Sequence, residues 1–352
     1  MFKRGKLVGW IIVWLICVVM CNLSAFSAES EMAEKESLST KIVLVDVIGR
    51  EVVLDKPATK VVGTHNPTLN VAIVLGGGEK YIGGFGNKEM SRGLCEAVMN
   101  DYDGIVQIGK GKNINFETVL ATGAELAIIP ERFKDQVEQF EKVDMNVIVA
   151  LPNEESFDTI RQSLTLVGQA LDATDRADMI IDFMDDRIEK AKNITSSVTA
   201  KKKVLFIGKK SPLSVAPSAM IQNQLIEVAG GENAVSGVEG LGGFVDVNIE
   251  QIIAWNPDVI WYPAYAIYPV EEIINDPGWK RTNAVKNNQV YKFPSLMEPW
   301  DYPTAAVSLG IAWATHNLHP ELYTIDEIMA DVNKYYDLVY EKTFTAEELG
   351  LK

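Results

Sequence analysis

The chain has 352 residues and carries 48 acidic against 33 basic side chains, a formal net charge of −15. That length is enough for two domains, and an apolar content of 47% is ordinary for a packed globular protein. So acidic a chain lacks the basic face that nucleic-acid phosphates require, and it is disfavoured at anionic lipid surfaces.

The N-terminus reads as an export signal over residues 1–28. Lys3, Arg4 and Lys6 form a basic region and residues 7–20 are almost wholly apolar. Residues 22–28 then supply small side chains, with Ala25 and Ala28 as cleavage points. Two other outcomes stay open. Cys21 could be lipidated, although Met20 is larger than the residue that usually precedes such a site. Residues 7–26 are also nearly long enough to span a bilayer as a retained anchor. In each case the working part lies in the periplasm or on the outer face of the cytoplasmic membrane. Cys95 is then the single thiol left besides Cys17 and Cys21, so no intrachain disulfide framework is expected. Residues 29–40 are polar and acidic, a tether with no core of its own.

The fold begins at residue 41. Ile42-Val43-Leu44-Val45 and Glu51-Val52-Val53-Leu54 flank Ile48-Gly49-Arg50 and predict a β-hairpin. Apolar runs predict strands at 60–63, 81–84, 124–129 and 146–150, with helices at 67–75, 116–122 and 133–143 between them. Strands alternating with helices mean a mostly parallel sheet covered on both faces, here a lobe of residues 41–152. Gly76-Gly77-Gly78 follows a helix rather than a strand, so it is a helix stop and not a phosphate loop.

Residues 153–197 read as two successive helices. The first carries Ile160, Leu164, Val167 and Leu171 at helical spacing, with Asn153 as its cap and Glu154 and Glu155 in its first turn. The second spans 174–195, with Thr174 as cap, Ala177, Ile181, Met184, Ile188 and Ala191 as its stripe, and no Pro or Gly between 175 and 197. At 1.5 Å per residue it is about 30 Å long, the breadth of a small domain. A second lobe, 198–352, repeats the alternation. Strands are expected at 203–208, 258–262 and 289–293. Helices are expected at 220–228, stopped by Gly230-Gly231, and at 249–254, 305–316 and 325–340. The halves echo each other: 116–120 followed by 124–128 parallels 249–253 followed by 257–260. The expectation is a stiff helix joining two similar halves around a cleft.

Several stretches carry a resemblance. They are 45–52 at the hairpin, 60–63 leading to Gly76, 115–120 leading to 125–128, Glu227-Val228-Ala229-Gly230-Gly231-Glu232-Asn233, Trp255-Asn256-Pro257-Asp258-Val259-Ile260, Asp276-Pro277-Gly278-Trp279, Ala284-Val285-Lys286-Asn287 and Leu318-His319-Pro320-Glu321. Their order and spacing, from about residue 41 to the C-terminus, resemble the class III (cluster A-II) solute-binding proteins of ABC importers. The resemblance implies an α/β fold with two Rossmann-like lobes, mostly parallel sheets and a single long rigid helix between them. It implies a monomer that is not an enzyme, carries no cofactor, captures a metal chelate such as a ferric siderophore, haem or corrinoid in the cleft, and delivers it to the membrane subunits of an ABC permease. Such proteins dock through a Glu in the first helix of each lobe. Glu227 fits in the second lobe; in the first, Asn70 stands in that place, leaving Glu79 as an alternative.

Ligand contacts are expected where strands end, because crevices in open α/β sheets lie there. After strand 258–262 come Tyr262 and Tyr265, with Trp261 divided between cleft and core. After strand 289–293 come Trp300 and Tyr302, in a loop stiffened by Pro299 and Pro303; Asp301 reads as a loop bond. After the first parallel strand comes His65, a cleft contact or a backbone-bonded loop histidine. One strand on come Phe85, Asn87 and Arg92, the last able to pair with a ligand carboxylate or sit in a surface ion pair. Lys209 and Lys210 occupy the matching place in the second lobe. His316 and His319 lie three apart, but His319 falls in a segment that looks structural, and three histidines in the whole chain make a site of several imidazoles improbable. No catalytic triad or metalloprotease motif stands out. The rival readings are a chelate-modifying enzyme with His65 as its acid or base, and a membrane-tethered carrier or sensor.

Overall fold

A computed structural model describes residues 41–89 and 92–351; the expected signal 1–28, the tether 29–40 and Cys21 lie outside them. By contact the chain divides into two compact units, one holding 44–52 and 57–352, the other taking in 41–43 and 53–56. Most expected elements form; the stretch expected as one helix over 133–143 does not, since 131–136 is a 3-10 turn with non-helical Phe133 and only 137–141 is α-helical. Strands β1 (Ile42–Val45) and β2 (Glu51–Leu54) make the hairpin. Then follow β3 (Val61–Gly63), α1 (Asn66–Gly76), β4 (Ile82–Phe85), α2 (Arg92–Val98), β5 (Val106–Gln107), β6 (Gly109–Lys110), β7 (Asn113–Ile114), α3 (Phe116–Ala121), β8 (Leu126–Pro130), α4 (Val137–Glu141) and β9 (Asn146–Leu151). The first sheet has the order β5-β4-β3-β8-β9, parallel throughout. All five residues of β8 are buried, as expected of a central strand covered on both faces.

Helices α5 (Phe157–Ala170) and α6 (Thr174–Thr195) follow. The chain then forms β10 (Lys203–Phe206), β11 (Ser214–Val215), α7 (Ile221–Val228), β12 (Glu232–Asn233), β13 (Val245–Asp246), α8 (Ile249–Trp255), β14 (Val259–Pro263), α9 (Glu271–Ile274), α10 (Asn283–Lys286), β15 (Val290–Phe293), α11 (Val307–Leu318), α12 (Ile325–Tyr340) and α13 (Ala346–Leu349). The second sheet has the order β12-β10-β14-β15 and is also parallel. Strand β3 is the middle strand of the first sheet with β4 and β8 beside it, and β10 and β14 are the interior strands of the second.

The start of α5 corrects the sequence reading. Asn153 is not its cap, and Glu154 and Glu155 precede the helix. Ser156 caps instead: its hydroxyl accepts the Thr159 N–H at 3.1 Å while the Thr159 hydroxyl accepts the Ser156 N–H at 2.9 Å, a reciprocal capping box. The chain between β9 and α5 is thereby free to place Glu155 elsewhere. Nor does Thr174 cap α6; it is the first helical residue, after Ala173, which makes no side-chain cap bond.

Helix α6 is 22 residues long and buries Ala177, Ile180, Phe183, Met184, Ile188 and Ala191; Ile180 and Phe183 join the stripe, and the expected Ile181 is only half-buried at its edge. It packs against α5, which lies on β9 and α1, and against α7 and α11. Arg176 near its start donates to the Val74 carbonyl of α1 at 3.2 Å and to the Val339 carbonyl of α12. Farther along, Arg187 and Lys190 both bind the buried carboxylate of Asp331 on α12. One helix thus ties into elements flanking both sheets. Met184→Ala should lower the stability of the whole protein by about 2–5 kcal/mol in urea unfolding, from lost burial and the cavity left behind. The exposed neighbour Asp182→Ala should stay within about 0.5 kcal/mol.

Candidate functional site

The C-terminal ends of strands in both sheets feed one cavity of about 160 Å³. His65 arrives just after β3, Arg132 after β8, Glu155 after β9, Lys209 after β10, Tyr265 after β14, and Tyr302 from the segment beyond β15. Met220, Gln222 and Phe244 complete much of the wall. In open parallel sheets this is the end where helix N-termini and loops leave a crevice.

Arg132 organises the polar wall. One guanidinium nitrogen, Nη2, lies 2.9 Å from His65 Nε2. Guanidinium has no acceptor, so Nε2 accepts and the imidazole proton sits on Nδ1. Burial, reinforced by the Arg132 charge, pushes the His65 pKa well below the usual histidine range and keeps the ring neutral. Its Nδ1 is buried and has no partner among the described residues. The other nitrogen, Nη1, donates to the Gly242 carbonyl at 2.8 Å, and the Gly242 N–H donates to the Asn153 carbonyl at 2.9 Å. Gly242 adopts φ +73°, and a Cβ there would press on Asn153 Oδ1 at 3.0 Å, so this contact of the 236–244 loop requires glycine.

Glu155 is 5% exposed. One oxygen accepts a long bond from the Ile221 N–H at 3.5 Å and the other stands 4.0 Å from Arg132 Nη2. Burial raises its pKa and outweighs the opposing pull of Arg132. Tyr265 donates its hydroxyl to Asp301 Oδ2, and its ring meets Tyr302 edge-to-face at 5.2 Å. Asp301 is fully buried; Oδ1 lacks a partner, and burial pushes its carboxyl up to about 7 against the Tyr265 hydrogen bond. Lys209 Nζ lies 6.0 Å from the Tyr265 ring centroid, its pKa lowered by burial and then by Lys210 and Lys110. The cavity therefore offers two cations, neutral hydroxyl and imidazole groups, and one poorly compensated carboxyl.

Of the residues expected at the site, His65, Tyr265 and Tyr302 meet in this cavity, with Lys209. Trp300 does not. It is 0% exposed, and its indole N–H donates to the Tyr336 hydroxyl of α12 at 3.1 Å. Tyr262 is buried in a core cluster with Ile260 and Ile273, because strand alternation puts it on the same sheet face as Ile260. Trp261 is core as well, donating to Asn317 Oδ1 at 2.7 Å. Phe85 is buried edge-to-face on Tyr102 at 5.9 Å, and Asn87 is half-buried outside the cavity lining. Arg92 binds Glu89 and Glu96 on the surface. Asn70 is buried, donating to Glu298 Oε2 at 3.2 Å, so it is no surface docking residue. Glu79 accepts the N–H and the amide of Asn100, each at 2.7 Å, while Glu227 is exposed on α7. His316 Nδ1 faces the Tyr323 carbonyl at 2.6 Å and His319 packs by Gly230. Among the described residues no three His, Cys, Asp or Glu side chains are grouped to hold a metal.

Sequence reasoning missed Arg132, Gln222 and Phe244, and gave Glu155 a helix-capping setting. Arg132 carried a usable signal: it lies two residues beyond β8, the same strand-end position as His65. Asp301 yields a pH effect. Its ordinary pKa is about 3.9, so between about pH 4 and 7 the folded chain holds a proton that the unfolded chain releases, and stability falls as pH rises through that window. Glu298, also pushed up to about 7 by burial, adds to the same slope. In denaturant titrations across this window Asp301→Asn should flatten part of the decline, and adding Glu298→Gln should flatten more.

The sequence profile of the family described as periplasmic binding protein matches residues 65–296. A curated relative, the molybdate-binding protein MolA of Haemophilus influenzae, is 23% identical over 94% of this chain and 96% of its own length. The Fe(3+)-citrate-binding protein YfmC of Bacillus subtilis is 22% identical over 80% of this chain and 86% of its own. Among solved structures, molybdate-bound MolA superposes with a TM-score of 0.76 at 20% identity, covering 86% of this chain and 99% of that one. A periplasmic solute-binding protein of Veillonella parvula gives 0.74 at 22% identity, covering 87% and 94%. With parallel sheets flanking one long helix and a family match over more than half its length, the chain belongs to the periplasmic binding proteins of ABC importers.

Proposed function

We propose that this solute-binding protein captures a small, compact anion in the cavity around Arg132 and passes it to its permease. The observation that carries the reading is the pairing of size with charge. About 160 Å³ is below the ~300–1,000 Å³ common for drug-sized ligands, and the wall holds Arg132 and Lys209 with the Tyr302 ring and a neutral His65. A tetrahedral oxyanion suits that room better than the ferric siderophore, haem or corrinoid expected from sequence. The relative named for molybdate supports the same choice. A small ferric carboxylate chelate is the second reading, favoured by the adjoining Tyr265 and Tyr302 rings and by the relative named for Fe(3+)-citrate.

Export by the N-terminal signal, with cleavage near residue 28 or lipidation at Cys21, fits this role; one relative is a substrate-binding lipoprotein. No helix among the described residues is long and apolar enough to cross a membrane. For permease docking, Glu227 stands exposed on α7 with one oxygen accepting from Asn223 at 3.1 Å, whereas half-buried Glu79 has both oxygens held by Asn100.

Calorimetry with sodium molybdate, tungstate, sulfate and phosphate, and with ferric citrate and haem, tests the ligand class. Binding of an oxyanion and not of haem is the expected outcome; haem alone binding would overturn the reading. Arg132→Ala should weaken anion binding by roughly 10–100-fold, the scale of a hydrogen bond to a charged group. Trp300→Phe should lower stability and leave affinity unchanged. Because α6 braces both sheets, scattering profiles of free and anion-saturated protein should nearly coincide. A large compaction on binding would contradict a preformed cavity.

A further inference from the structure

We propose that Glu155 makes the cavity sensitive to whether an anion carries its own proton, so that capturing a proton-free dianion takes up a proton and capturing a hydroxyl-bearing anion does not. The inference rests on the small-anion reading and deepens it. Glu155 reaches the cavity because α5 starts at residue 157, leaving the preceding turn to project inward. A buried carboxylate needs strong donors on its oxygens. Among the described residues this one has the 3.5 Å contact to the Ile221 N–H and the 4.0 Å approach of Arg132 and no shorter donor. Two of the Arg132 N–H groups go to His65 Nε2 and the Gly242 carbonyl, and none makes a hydrogen bond to Glu155, so its remaining donors are open to a ligand rather than to this carboxyl.

The groups that face Glu155 come from several elements. Arg132 lies beyond β8, the Ile221 N–H opens α7, and Asp301 and Tyr302 act on it from the segment beyond β15. Lys209 lies on the same cavity wall and His65 reaches Glu155 through Arg132. Asp301, a second buried carboxyl, adds to the local negative charge once the pH exceeds about 7.

The chemistry then divides by ligand. Sulfate and molybdate are dianions with acceptors only. Set against an ionised Glu155 away from water, such an ion meets like charge in a low-dielectric site. The encounter is relieved when Glu155 takes one proton from solvent and donates it to a ligand oxygen. Hydrogen phosphate bears a hydroxyl, which donates to the Glu155 carboxylate directly, and no proton need come from solvent. The residue is thus a specificity determinant whose acceptor or donor character is matched to the ligand.

The experiment is calorimetry of the full mature chain at pH 8 with sodium sulfate, molybdate and phosphate, each in two buffers of different ionisation enthalpy, which counts protons taken up. For the wild type the expected uptake is about one proton per sulfate or molybdate, with affinity falling about tenfold per pH unit once Glu155 is ionised, and near zero per phosphate. In Glu155→Gln, whose amide offers both a donor and an acceptor, the uptake should vanish and the sulfate-to-phosphate affinity ratio should move toward one. Wild-type sulfate or molybdate binding without proton uptake overturns the inference, and this count does not depend on the variant folding. Equal uptake in Glu155→Gln, or an unchanged selectivity in that variant, also overturns it while leaving the anion reading intact. If none of the three anions binds, the small-anion reading fails and the inference with it.

Discussion

Helix α6 carries an apolar face wider than any single neighbour covers. Phe183, Met184 and Ile188 are shut from water; Phe183 meets Tyr335 of α12, and α5, α7 and α11 pack along the helix. The helix can keep that face dry only while the elements around both sheets hold their places. Its polar side chains follow the same rule: Arg176 reaches carbonyls on α1 and α12, and Arg187 and Lys190 meet at Asp331. Relative movement of the sheets would expose apolar surface and strand buried ions, both costly. The cavity inherits its fixed dimensions from this constraint, since its walls come from strand ends of both sheets.

Much of the fold was legible because burial writes itself into period. The bounds of α6 and α12 agree with the expected 174–195 and 325–340, since long amphipathic stripes are redundant signals. The opening hairpin and the strands flanking each core were equally plain. The short helices α9, α10 and α13, of four residues each, have too few turns to show a stripe. The entry to α5 was misread because Asn153 and Glu154 look like a helix start in composition, while Ser156 and Thr159 form the cap by geometry.

The site was legible only in part, for a related reason. Sequence places residues at strand ends but does not say which of two adjacent aromatics turns to solvent. Tyr302 and Trp300 are two positions apart; one lines the cavity, and the other lies under α12 as a hydrogen-bonded core residue. Tyr262 and Tyr265 split the same way. Charged residues misled in the opposite direction. Arg92 looked available but is satisfied by Glu89 and Glu96, whereas Arg132 attracted no notice and became the hub. Asn70 took a surface acid's expected place yet belongs to a buried polar contact with Glu298.

Arg132 touches both His65 on the cavity wall and the 236–244 loop. The same guanidinium that orients the imidazole of His65 also pins the carbonyl of Gly242 in the glycine-rich loop. One side chain thus couples the position of the imidazole to the position of the loop. A substitution that shifted this loop would therefore also disturb the imidazole of His65, so the two walls cannot be altered independently.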